Sequence, residues 1–225
     1  MSFAGGSKPP IVCYVTDRKA LGSGSSFKPP IATIRAAVAA GVDWVQIREK
    51  DLVARDLLAL TTSAISATNE ARKAQTTSAR VIVNDRLDVA LTAGAAGVHL
   101  GRNSISVADV ARWCRGGNAP PEFLIGVSCH SFEEARQAQA AGANYIFFGP
   151  VYDTPSKRPF GPPHGVQRLA EVCGALRIPV VAIGGVDGKN AAECLRAGAA
   201  GIAAIRFFQE DSGTVLAERI AKLRG

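Results

Sequence analysis

At 225 residues, 47% of them hydrophobic, the chain can bury one sizeable core, and single-domain β/α barrels reach this length. Its net charge of +7, with an isoelectric point near 9.4, favours anionic partners, yet no run of five like charges and no basic stretch interleaved with aromatics occurs. That argues against a nucleic-acid module and for small phosphorylated ligands. Five scattered cysteines never spaced as CxxC indicate neither a disulfide framework nor a zinc site.

Residues 1–10 are polar and Gly/Pro-rich without an apolar segment of leader type, and they are expected to form a disordered tail before one catalytic domain over 11–225. No apolar stretch is long enough to span a bilayer, so a membrane is not an expected partner and the cytoplasm is the expected location. The first strand is expected at 11–15. Four times the chain then writes Ala-Gly, two spacer residues and an apolar run: Ala40-Gly41 before 44–47, Ala93-Gly94 before 97–100, Ala141-Gly142 before 145–148, and Ala197-Gly198 before 201–205. Glycine just past a run of helix formers is a usual helix stop, and the short continuous apolar runs suit parallel strands buried on both faces.

Between these copies, 80–83, 123–127 and 179–183 also read as strands, giving eight. Amphipathic helical stretches follow at 55–73, 106–115, 132–140, 166–176 and 214–223. Strict alternation of this kind predicts a parallel sheet with right-handed crossovers, most simply a single-domain (β/α)8 TIM barrel; a doubly wound open sheet is the alternative. Two connections, 16–30 and 149–163, are unusually long, and both leave the C-terminal end of a strand, where such barrels carry their reacting groups.

Polar residues collect at those strand ends. Gln46, Arg48 and Lys50 alternate with Ile47 and Glu49, so period-two geometry turns all three to one side. Cations there need a partner, either an anionic ligand or, structurally, Glu49 or Asp51. Asn84 and Asp85 follow the third strand; Asp85 suits Mg²⁺ held together with substrate phosphates, and a helix N-cap is the structural alternative for either residue. Ser128, Cys129 and His130 follow the fifth strand, and Thr154, Ser156 and Lys157 lie in the long loop after the sixth, hydroxyls beside a lysine that suit phosphate or a turn around Pro155. His99, inside a strand, reads as a hydrogen-bonded core residue. Gly184 and Gly185, before a helix expected near Gly188, and Arg206 at the end of the eighth strand would form a phosphate site.

Taken together, Gln46/Arg48/Lys50, Asn84-Asp85, GVHLG at 97–101, Ser128 with His130 and Ser131, GPVYDTPSK at 149–157 and IGGV at 183–186 resemble the thiamine phosphate synthase family over nearly the whole chain. The resemblance implies a barrel enzyme that joins a pyrimidine methyl diphosphate to a thiazole phosphate and releases pyrophosphate through a pyrimidine methyl cation. It gives Gln46, Arg48, Lys50 and Asn84 to the pyrimidine diphosphate, Ser128 to the pyrimidine, and Lys157 to the departing pyrophosphate. Thr154, Ser156, Gly184, Gly185 and the Ile205-Arg206 corner would hold the thiazole phosphate, and Asp85 the Mg²⁺. The chain departs from the family pattern twice. Gly101 to Ser104 stand where relatives carry GQED, so Ser104 replaces a second carboxylate ligand, and Arg206 replaces a small residue. These departures keep in view the related thiazole tautomerases, for which His130 would be the acid/base. A homo-oligomer is compatible with either reading.

Overall fold

Glycine punctuation sets the architecture. In a computed structural model of the chain, which describes residues 9–21, 30–74, 78–154, 162–209 and 213–225, all four glycines of the Ala-Gly repeat take positive φ: Gly41 at 95°, Gly94 at 70°, Gly142 at 100° and Gly198 at 94°. A side chain is strained in that backbone region, so each glycine ends a helix and lets the chain turn back into the next strand.

Eight strands result: β1 (Ile11–Val15), β2 (Trp44–Ile47), β3 (Arg80–Asn84), β4 (Gly97–Leu100), β5 (Leu124–Cys129), β6 (Tyr145–Phe148), β7 (Val180–Ile183) and β8 (Gly201–Ala204). They alternate with α1 (Pro30–Ala39), α2 (Ala54–Lys73), α3 (Leu87–Ala93), α4 (Val107–Trp113), α5 (Phe132–Ala141), α6 (Gly165–Ala175), α7 (Ala191–Arg196) and α8 (Thr214–Arg224). Every neighbouring pair of strands is parallel, and β8 closes onto β1 with Ile11 opposite Gly201. The expected (β/α)8 barrel is therefore the fold, and the open doubly wound sheet is not.

Strand alternation divides the core in two. Outward residues such as Val12, Val45, Val83, Val98, Ile146 and Ile202 pack under the helices. Inward residues Cys13, Val15, Ile82, Tyr145, Phe147, Val181 and Ala203 fill the lumen, with the Trp44 and Tyr145 rings 4.6 Å apart. The lumen is thus a packed core whose upper layer alone remains for polar groups.

Several boundaries differ from the sequence reading. β5 runs on to Cys129, which brings Ser128 into the strand, and β3 runs on to Asn84. α4 stops at Trp113 and gives way to a wider turn over Cys114–Asn118, where Gly117 takes a φ of 82°. α7 starts at Ala191 rather than near Gly188, because Asp187 first forms a turn in which its carboxylate accepts from the amides of Lys189 (2.8 Å) and Asn190 (3.2 Å). Among the described residues, no helix is long and apolar enough to cross a membrane.

Candidate active site

The C-terminal rim of the barrel carries a continuous chain of polar contacts. Gln46 is 2% exposed and donates from Nε2 to Asn84 Oδ1 at 2.8 Å; Asn84 donates from Nδ2 to Asp85 Oδ2 at 2.7 Å. Asp85 Oδ1 accepts from the Gly101 amide at 3.1 Å and from the Ser104 hydroxyl, whose own oxygen accepts from the same amide at 2.7 Å. Asp85 has φ 61°, a left-handed conformation rare outside glycine, so its carboxylate is held where an ordinary strand exit would not put it. It is not a helix cap: Arg86 precedes α3 and makes no side-chain cap bond. The amide-to-amide order leaves Gln46 Oε1 buried and, among the described residues, without a partner, and a buried acceptor without a donor is costly enough to mark a place for one.

Arg48 continues the inward side of β2 just past its end, half-buried, with its amide donating to Thr16 Oγ1 at 2.9 Å. Its guanidinium lies 3.6 Å from Asp17. Glu49 and Asp51, the structural partners weighed for Arg48 from the sequence, are taken instead by Arg18. The Arg18 guanidinium reaches Glu49 at 3.1 Å and forks onto Asp51 at 2.6 Å and 2.6 Å, which lowers the Asp51 pKa and raises that of Arg18. Lys50 departs from the expected alternation: the chain turns there, with the Leu52 amide bonding the Glu49 carbonyl at 3.2 Å, and Lys50 is exposed.

Ser128 and His99 meet on the lumen side, Ser128 Oγ 2.9 Å from His99 Nε2, while His99 Nδ1 is 3.1 Å from the Tyr145 hydroxyl. Burial, with a smaller push from the Arg48 charge, lowers the His99 pKa to about 3, so the ring is neutral at physiological pH. His99 is the hydrogen-bonded core residue expected, but its contact with Ser128 was missed. The legible signal was its place between Asn84 and Gly126 in register, all on one face of the sheet. His130 belongs elsewhere. Its ring Nδ1 donates to the Gly149 carbonyl at 2.5 Å and its amide donates to Glu134 at 2.6 Å. With Arg102, Glu134 and Gln137 it lines a groove of about 330 Å³ between α4 and α5 that reaches the rim at Gly101 and Ser128.

Next round the rim, the loop after β6 is seated on the β7 turn. Val151 donates to the Ile183 carbonyl at 3.0 Å and Tyr152 to the Gly184 carbonyl at 2.9 Å. Gly184 has φ 92°, and a Cβ there would lie 2.6 Å from Pro150 Cα; one on Gly185 would lie 2.6 Å from the Asp153 carbonyl oxygen. The glycine pair is thus required by close backbone packing, whatever it also offers an anion. The same loop is tied at its far foot, where the His164 and Gly165 amides donate to the Pro150 (2.8 Å) and Val151 (3.0 Å) carbonyls. Thr154 is half-buried at the end of the described part of this loop, while Ser156 and Lys157 lie outside the described residues. Ile205 is half-buried, and Arg206 is exposed at the start of a short 3-10 turn.

As a metal centre the rim is sparse. Among the described residues no three His, Cys, Asp or Glu side chains gather. Asp88 pairs with Arg86 at 2.5 Å, and Asp109 accepts from Ser106 at 2.6 Å. One carboxylate with an adjoining hydroxyl, Asp85 with Ser104, still fits a hard cation that draws its remaining oxygens from phosphates and water.

Residues 12–208 match the family described as thiamine monophosphate synthase. The chain belongs to that family. A putative thiamine-phosphate synthase of Geobacter sulfurreducens is 45% identical over 88% of this chain and 85% of its own length, and a thiamine-phosphate synthase of Methanoculleus marisnigri is 41% identical over 92% and 91%. Thiamine phosphate pyrophosphorylase from Pyrococcus furiosus superposes with a TM-score of 0.79 at 29% identity, covering 95% of this chain and 94% of that one. A 3-hexulose-6-phosphate synthase, at a TM-score of 0.66 and 15% identity, shares the fold alone. The expected identity therefore holds: an enzyme of thiamine biosynthesis, a transferase of the thiamine phosphate synthase family.

Proposed function

We propose that the chain joins a pyrimidine methyl diphosphate to a thiazole phosphate at this rim, with Gln46, Arg48, Asn84 and Ser128 holding the pyrimidine diphosphate and Asp85 with Ser104 holding Mg²⁺. The observation that carries this reading is Gln46 Oε1, buried and without a partner among the described residues while Nε2 is committed to Asn84. An exocyclic amine is the donor it lacks. Arg48 offers a fork and Lys50 a mobile point charge to the diphosphate. Lys157 is assigned to the leaving pyrophosphate, and Thr154, Ser156, Gly184, Gly185, Ile205 and Arg206 to the thiazole phosphate.

The chemistry needs no protein nucleophile. The C–O bond to the diphosphate breaks, the electron pair leaves with pyrophosphate, and the thiazole nitrogen donates its pair to the pyrimidine methyl cation. Arg48, Lys50 and Lys157 stabilise charge as it builds on the leaving oxygen, in a site whose dipoles are already oriented by the Gln46–Asn84–Asp85 chain. A bound Mg²⁺ supplies further neutralisation of the diphosphate. Free thiols at all five cysteines agree with work in the cytoplasm.

Incubation with both phosphorylated halves tests the reading. Thiamine phosphate and pyrophosphate should appear in equal amounts with Mg²⁺ and stop in EDTA. No coupled product at high enzyme concentration refutes it; isomerisation of a thiazole carboxylate phosphate in EDTA, lost in His130→Ala, would put the tautomerase in its place.

A further inference from the structure

β5 gives up a side chain in mid-strand. A Cβ on Gly126 would lie 2.1 Å from Cζ and 2.4 Å from the hydroxyl oxygen of Tyr145, its register partner on β6. Glycine weakens a strand interior, so its presence here marks a close approach. The Tyr145 ring occupies that space, and its hydroxyl reaches across β5 to His99 on β4. Phe147, with its ring centroid 4.2 Å from that of His99, packs against the imidazole.

The direction of the hydrogen bonds follows from counting protons. Tyr145 and His99 are each 1% exposed. Neutral imidazole carries one N–H and one bare nitrogen. Among the described residues, His99 is the recorded hydrogen-bond partner of the Tyr145 hydroxyl. Were Nδ1 protonated, the phenol hydrogen would be stranded in a dry lumen without an acceptor, the arrangement folded proteins avoid. The hydroxyl therefore donates to Nδ1, and the ring proton sits on Nε2. Nε2–H then donates to Ser128 Oγ at 2.9 Å, and the Ser128 hydrogen must be donated elsewhere.

We infer that Tyr145 and His99 are positioning residues that fix Ser128 as a hydrogen-bond donor, so that the aromatic ring bound beside it must present an acceptor nitrogen. The inference rests on the pyrimidine assignment proposed above and sharpens it. Ser128 as donor and Gln46 Oε1 as acceptor form opposite polarities in one rim, the pattern complementary to an aminopyrimidine, with its ring nitrogens and exocyclic amine. A ring carrying C–H where Ser128 points would leave a hydroxyl unsatisfied.

Two measurements on the full chain test this. Nitrogen-15 spectra of histidine-labelled protein, with the His99 signals identified by their loss in His99→Gln, should show a protonated Nε2 and a bare Nδ1; Tyr145→Phe should abolish that fixed tautomer. In the coupling assay, the pyrimidine diphosphate is compared with pyridine analogues in which one ring nitrogen at a time is C–H. One analogue should lose about ten- to a hundredfold in kcat/KM with the native chain, about nothing relative to substrate in Ser128→Ala, and an intermediate amount in Tyr145→Phe. A protonated Nδ1, or discrimination that survives Ser128→Ala undiminished, overturns the relay even if coupling is robust. The expected tautomer in a chain that makes no thiamine phosphate would refute the function while leaving the relay standing.

Discussion

Acidification should expose the burial of His99. Its folded pKa of about 3 lies below the ordinary value of 6.5, so between those limits the unfolded chain binds a proton that the native chain refuses. Stability is then unaffected above pH 6.5 and is lost as the pH falls toward 3, with a slope near 1.4 kcal/mol per pH unit. At pH 5 the loss amounts to about 2 kcal/mol, and at saturation about 5 kcal/mol. Against a typical domain stability of about 5–15 kcal/mol, this is a large fraction. Other ionisable groups contribute as well, but they do so equally in a variant. Urea denaturation of the native chain and of His99→Gln at pH 7, 6 and 5 isolates the effect: the variant starts less stable, having lost its bonds to Tyr145 and Ser128, and the gap should close by about 2 kcal/mol on going to pH 5. Two stability curves that stay parallel with pH would show that His99 protonates freely in the fold, and the argument for a neutral, proton-ordered imidazole would fail.

Asp85→Asn should lower kcat/KM in Mg²⁺ on the order of 100-fold and flatten the Mg²⁺ titration of rate, since among the described residues no cluster of three His, Cys, Asp or Glu side chains is there to replace it. Lys157→Ala should reduce kcat by roughly 100- to 1,000-fold with little change in KM if it acts on the leaving group; equal effects on both would contradict that role. Gly184→Ala should destabilise by about 2–4 kcal/mol in chemical denaturation, because it adds left-handed strain to an overlap with Pro150; a change confined to thiazole KM would favour the anion-site reading alone. Arg18→Ala should cost about 3 kcal/mol by stripping the buried Glu49 of its guanidinium, read as a lower urea midpoint.

Much of the barrel was legible because its punctuation is local. The Ala-Gly stops act within one turn of helix, and the apolar runs beyond them needed no knowledge of neighbours to be read as strands. At the rim, Gln46 and Arg48 were readable from alternation for the same reason. Lys50 was not, because a turn at Glu49 breaks the period where the strand ends. The Arg18 clamp was hidden by sequence distance: it joins the segment after β1 to the end of β2, and nothing in QIREKD announces a partner 31 residues upstream. Gly184 and Gly185 invited an anion reading, while the closer reason, the backbone of residues 150–153 lying against them, appears only once β6 and β7 are side by side. His99 shows the same limit. Its burial was apparent, but its second bond comes from a tyrosine two strands away that reaches over a glycine on the strand between.

The loop after β6 leaves and re-enters the barrel at almost one point, since the amides of Val151 and Tyr152 grip the β7 turn while those of His164 and Gly165 return to the carbonyls of Pro150 and Val151. These anchors run from backbone to backbone, so they constrain the two feet of the segment whatever side chains those residues carry, and a substitution at Val151 or Tyr152 that spares the main chain leaves the join to the eight-stranded frame in place.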